Sequence, residues 1–119
     1  MAGKRGAGIA PIAGAIDRDF LARFTRGDAA FEREVLELFR AHLPRSLERL
    51  RAASACGWKA ATHTIKGSAA AIGAFSLAHV AARAEAIDAG DATARAHAIA
   101  ALSAAAAEVC RSIARLPLR

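Results

Sequence analysis

The sequence predicts an all-α protein: an up-down antiparallel four-helix bundle with a short additional helix at the N-terminus. Three observations carry that expectation. Nearly three residues in ten are alanine, the strongest helix former, while five Phe, one Trp and no Tyr leave little to build long strands. Apolar residues recur at three- and four-residue steps along most of the chain. Turn residues cut that pattern into segments joined by connections so short that consecutive helices must run antiparallel. With 119 residues there is room for one domain.

Residues 1–16 precede the pattern. Lys4 and Arg5, the apolar stretch from Ala7 to Ile16, and Ala13-Gly14-Ala15 together outline a secretory signal. Pro11, two glycines and the lack of Leu make that stretch a poor helical core for one. The segment is read instead as a flexible lead-in whose Ile12 and Ile16 dock on the bundle, with residues 17–119 as the domain. A short first helix runs from Asp17, its cap, to about Phe24, with Phe20, Leu21 and Phe24 on one apolar face. Arg26-Gly27-Asp28 breaks it, and Asp28 caps a long second helix. Phe31, Val35, Leu38, Phe39, Leu43, Leu47 and Leu50 form its apolar stripe, which continues in phase through Pro44 and so predicts one bent helix. After a turn at Ser54-Ala55-Cys56-Gly57, a third helix spans about Trp58 to Ile72 and closes on Gly73. A fourth runs from about Phe75 to Ala89 and ends at Gly90. Asp91 caps a fifth that carries Ile99, Leu102, Ala106, Val109 and Ile113 to about Ala114.

Several function classes are excluded. No apolar run approaches the roughly 20 residues that span a bilayer. Two cysteines make neither a disulfide scaffold nor a four-ligand zinc site. Cys56 and Cys110 fall toward opposite ends of the bundle, about 27 Å apart along the last helix, so both are expected as free thiols in a cytoplasmic protein. No Gly-rich Gly-Lys phosphate loop is present, and the chain is too small for a kinase or ATPase core. A net charge of +6, from 17 Lys+Arg against 11 Asp+Glu, favours an acidic partner without choosing one; the arginines are dispersed, unlike a nucleic-acid arm.

The third helix carries the chemistry. At 100° per residue, Trp58, Ala61, Ile65, Ser68, Ala69 and Ile72 share the core face, with a packing role for Ser68. Lys59, His63, Lys66, Gly67 and Ala70 share the outward face. His63 is therefore a solvent-facing imidazole with a lysine and a glycine one turn on. Glycine inside a helix costs about 1 kcal/mol against alanine, and this chain uses alanine almost everywhere else. Its place beside His63 suits the close approach of another molecule. Lys66 offers a positive charge to anionic oxygens on the ring.

The stretch His63-Thr-Ile-Lys66-Gly67-Ser68-Ala-Ala-Ala-Ile72-Gly73 resembles the signature of histidine-containing phosphotransfer (HPt) domains of two-component phosphorelays. The likeness extends from Asp17 onward: the Gly27-Asp28 break, Phe39 to Pro44, Gly57-Trp58, Gly73-Ala-Phe-Ser-Leu77 and Glu85. Ala84 departs from it, standing where the family usually has a larger aliphatic residue, and looser packing between the third and fourth helices is expected there. The resemblance implies that His63 accepts a phosphoryl group from a receiver-domain aspartyl phosphate and passes it to another receiver aspartate. It implies charge stabilisation by Lys66 and receiver approach over Gly67, with Lys59, Ala70 and Glu85 flanking. It further implies response-regulator receivers or a hybrid histidine kinase as partners, no cofactor or metal of its own, and Mg2+ supplied by the receiver. The domain would be a relay without kinase or ATPase activity.

Two other readings stand beside it. One is the HPt module of a chemotaxis-type kinase, phosphorylated by its own kinase core; the ending Leu116-Pro117-Leu118-Arg119, without a linker, favours a stand-alone protein. The other is a basic helical adaptor in which His63 is incidental. His42, His79 and His97 lack metal-ligand spacing and are read as surface residues. With the apolar stripes consumed by one core, a monomer is expected that binds neither nucleic acid nor membrane.

Overall fold

Most helices in this chain begin where a small polar side chain can take an otherwise orphaned amide. Asp17 accepts from the Phe20 amide at 3.0 Å, Asp28 from that of Phe31 at 3.0 Å and Ser54 from that of Gly57 at 3.1 Å. Asp91 accepts from the amides of Thr93 and Ala94 at 3.0 and 3.1 Å. The computed structural model describes residues 15–115, all of whose regular structure is helical. The helices are α1 (Arg18–Thr25), α2 (Ala29–Ala52), α3 (Ala55–Ala71), α4 (Phe75–Glu85) and α5 (Ala92–Arg115). α2 packs on α3, α3 on α4, α4 on α5 and α5 back on α2, closing an antiparallel ring, with α1 laid against α2.

The core holds Leu21, Leu36, Leu43, Leu47, Leu50, Trp58, Ile65, Leu77, Leu102, Val109 and Ile113. Between them Ala69, Ala78, Ala81, Ala84, Ala98 and Ala106 are buried, so small side chains let the helix axes approach closely. The alanine content is thus a packing property as well as a propensity. Ala15 and Ile16 are also buried, so the core takes in the last two residues of the segment read as a lead-in. The rest of that segment, Ile12 included, lies outside the described residues, as do positions 116–119.

Five local expectations are corrected. On α2, Phe31 and Leu38 are exposed, at 40% and 57%, while Leu36 is fully buried. The helix carries apolar residues on two faces, and the inward one runs Glu32, Leu36, Leu43, Leu47 and Leu50. Glu32 is tolerated there because Arg18 on α1 pairs with it at 2.8 Å. Phe24 is likewise exposed rather than core, its ring 5.7 Å from that of Phe31. α3 starts at Ala55 because Ser54 caps it, which puts Cys56 and Gly57 in its first turn. On the same helix Ser68 is exposed, and Thr62 takes the buried position, its hydroxyl donating to the Trp58 and Lys59 carbonyls at 3.0 Å each. α4 stops at Glu85, short of Ala89. Amide bonds back over three residues, from Ala86 to the Arg83 carbonyl and from Ile87 to the Ala84 carbonyl, at 3.2 and 3.4 Å, close its last turn, and Gly90 does not take the left-handed conformation that would end a longer helix. Pro44 is exposed and α2 runs through it unbroken, so water can meet the carbonyl it leaves free. Cys56 and Cys110 are both free thiols. No helix among the described residues is long and apolar enough to cross a membrane.

Gly73 makes the turn from α3 to α4. Its φ is +84°, and a Cβ there would sit 2.9 Å from the Asp17 carbonyl oxygen and 3.3 Å from the Phe20 ring. The chain entering α1 crosses at this point, where the Asp17 amide donates to the Gly73 carbonyl at 2.9 Å. Gly73→Ala is expected to cost about 2 kcal/mol, from left-handed strain plus displacement of the crossing chain. A thermal melt should show a fall of roughly 10 °C; an unchanged melting temperature would mean the crossing is not held as described.

Candidate functional site

His63 stands in the middle of α3 with about two thirds of its side chain exposed. Across from it α4 ends on Glu85, whose side chain is only 17% exposed. One oxygen of that carboxylate lies 3.3 Å from His63 Nδ1, and the other accepts from Lys66 Nζ at 2.8 Å. Two outward residues of α3 thus meet a single carboxylate from the neighbouring helix. The hydrogen bond from Lys66 holds the Glu85 carboxyl below its ordinary range; partial burial opposes this, and the charges of Lys66 and His63 add to it. Glu85 is therefore ionised at neutral pH. A carboxylate beside Nδ1 favours the proton on that nitrogen, which leaves Nε2 with its lone pair free.

The surface next to the ring is bare. A Cβ built on Gly67 would meet nothing within 4 Å, so internal packing gives no reason for a glycine there. Lys59 is exposed one turn before His63 and makes no ion pair with a described residue. Ala70, expected outside, is half-buried against the core, because α4 packs closely along that side of α3. The site therefore gathers His63, Lys66 and Glu85 with Gly67 beside them, and Lys59 and Ala70 stay at its margin. Toward α2, exposed Ser68 borders a cleft of about 290 Å³ shared with Leu38, Phe39, His42 and Ile72. Leu38 also lines a neighbouring cleft with Phe31, whose ring lies 5.7 Å from that of Phe24. His42, His79 and His97 are exposed, as expected.

Sequence reasoning missed one contact near the site. The Trp58 indole N–H donates to the Ala84 carbonyl at 2.8 Å, both residues being buried. A buried indole must find an acceptor, and that was the only available signal; its partner lies on another helix. No group of three or more His, Cys, Asp or Glu side chains that could hold a metal ion occurs among the described residues.

No curated sequence and no solved structure gives a significant match. The family model of the Hpt domain matches residues 34–112, which takes in most of α2, all of α3 and α4, and most of α5. His63, Lys66, Gly67 and Glu85 all fall within it. The chain belongs to the Hpt domain family, the helical modules that carry histidine phosphotransfer in phosphorelays and are neither kinases nor ATPases.

Proposed function

We propose that His63 is the phosphoacceptor, taking a phosphoryl group from the aspartyl phosphate of a receiver domain and passing it to the aspartate of another. The observation that carries this reading is the exposed imidazole with Glu85 at Nδ1 and the empty face over Gly67 beside it. In the forward step the Nε2 lone pair forms the P–N bond. The P–O bond to the receiver's aspartate breaks, and its electron pair leaves with that carboxylate. The ring becomes a cation with its proton still on Nδ1, where the Glu85 carboxylate offsets the charge. Lys66 turns its ammonium to the phosphoryl oxygens. Return transfer reverses each movement.

Receiver domains, free or within a hybrid histidine kinase, are the partners in this reading, and the divalent cation, Mg2+, comes with the receiver. The exposed apolar side chains of Phe24, Phe31 and Leu38 give such a partner an apolar surface, and Leu38 shares a cleft with Ser68, the residue after Gly67. The protein acts as a cytoplasmic monomer, without nucleic acid or membrane. The test is transfer from a receiver carrying radiolabelled aspartyl phosphate. Label that moves to this chain and is lost in acid but kept in base supports phosphohistidine. No transfer from any receiver encoded in the same genome sinks the reading.

A further inference from the structure

The site carboxylate sits in an exposed mechanical position: Glu85 is the last residue of α4. Helix ends fray, and their final carbonyls lack intrahelical partners. The structure therefore has to hold this end in register with α3 by some other means. One residue before Glu85, the Ala84 carbonyl receives the Trp58 indole N–H at 2.8 Å. Trp58 lies on α3, the helix that carries His63 and Lys66, so this bond joins the same two helices as the Glu85 contacts. The indole is itself fixed. It is 1% exposed, and the Arg95 guanidinium lies 4.7 Å over its ring. That guanidinium is anchored in turn to the Ala53 carbonyl at 2.8 Å. Between Trp58 and His63, the Thr62 hydroxyl bonds back to the Trp58 carbonyl and stiffens the intervening turn.

We infer that Trp58 is a positioning residue for phosphotransfer: by holding the Ala84 carbonyl it sets Glu85 against His63 Nδ1 and so keeps Nε2 unprotonated. This rests on the reading of His63 as phosphoacceptor, and it makes the indole N–H, rather than the bulk of the ring, the functional part. Loss of the N–H leaves the buried Ala84 carbonyl with only the long bond from the Ile87 amide at 3.4 Å and lets the end of α4 move. The contact at Nδ1, already long at 3.3 Å, is the first to suffer.

Because the chain has one tryptophan, the N–H can be removed alone, by incorporating benzothienylalanine, in which sulfur replaces the indole nitrogen. Trp58→Phe is the genetic counterpart. Val109→Ala, a core truncation toward the far end of α5, serves as the control for general destabilisation. Each protein is examined by nitrogen-15 NMR of the His63 ring, by titration of the Glu85 carboxyl, and by transfer kinetics. In the analogue and in Trp58→Phe, the share of His63 carrying its proton on Nε2 should rise. The Glu85 titration should move up toward the ordinary carboxylate range. Transfer within the receiver complex should slow about threefold to tenfold with docking affinity unchanged. Val109→Ala should change none of the three.

An analogue with wild-type tautomer balance and rate would overturn the inference, as would a Val109→Ala protein that shifts the tautomers as much. Should Trp58→Phe fail to fold, the analogue, which keeps the ring's shape, decides. The tautomer and carboxyl measurements need no phosphoryl donor. If the wild-type protein accepts no phosphoryl group, the phosphoacceptor reading falls, while these two still decide whether Trp58 positions Glu85.

Discussion

Replacing His63 with glutamine is expected to abolish acid-labile, base-stable phosphorylation while leaving the far-ultraviolet helical signal at the wild-type level. The side chain is largely exposed, so its loss removes little packing, and glutamine suits the middle of a helix. Lys66 and Glu85 keep their own hydrogen bond in the variant. Of the other histidines, His42 already has Nδ1 at 2.9 Å from the Leu38 carbonyl, and none of the three has a described carboxylate and lysine beside it. Residual labelling at the wild-type level would move the acceptor to one of them. Loss of labelling together with loss of helix would mean that His63 was needed for the fold.

Gly67 and Lys66 should fail in different ways. Gly67→Ala adds a methyl group to open space and should raise stability by up to about 1 kcal/mol. Gly67→Gln should fold as well as wild type but put a long side chain where the receiver approaches, slowing transfer by on the order of a hundredfold. Lys66→Ala keeps the surface open and removes the charge that, on the proposed reading, faces the phosphoryl oxygens. Transfer should slow on the order of tenfold, less than for a donor in a closed site because water reaches Lys66. Rates and melting temperatures of the three variants, measured together, decide the matter. A Gly67→Gln protein that transfers at the wild-type rate would show that partners dock elsewhere.

Lys66→Ala also has an acid-side signature. In the folded protein the Glu85 carboxyl titrates below its ordinary value, chiefly through the hydrogen bond from Lys66. The stability that this linkage contributes is present above the unfolded pKa and is lost as pH falls through the folded one. The variant should therefore show less loss of stability on acidification than the wild type.

What the sequence revealed was local. Asp17, Asp28 and Asp91 announced their helices because a cap acts within three residues. The outward placement of His63 and Gly67 followed from helical period alone. The inward face of α2 did not, because Phe31 and Leu38 make as good a stripe as Leu36 does, and the choice depends on where α1 brings Arg18 to Glu32. Thr62 and Ser68 exchanged roles for a related reason: a hydroxyl bonded back to its own helix can be buried, and composition does not reveal that. Helical period alone left Glu85 one charge among several, and it was the resemblance that set it beside the site. Only the packing of α3 on α4 gives it two partners, and only the early stop of α4 places it at a helix end.

The shared carboxylate has a consequence for speed. With His63 neutral, the charges of Lys66 and Glu85, 2.8 Å apart, nearly cancel when viewed from beyond a Debye length, about 8 Å in physiological salt. The long-range pull on an acidic partner must then arise from the rest of a surface whose chain carries a net charge of +6. Capture and chemistry would then be governed by different charges. On the proposed reading, added salt should slow the second-order encounter, while the first-order transfer inside the docked pair, where Lys66 would exchange Glu85 for phosphoryl oxygens at contact range, should keep its pace.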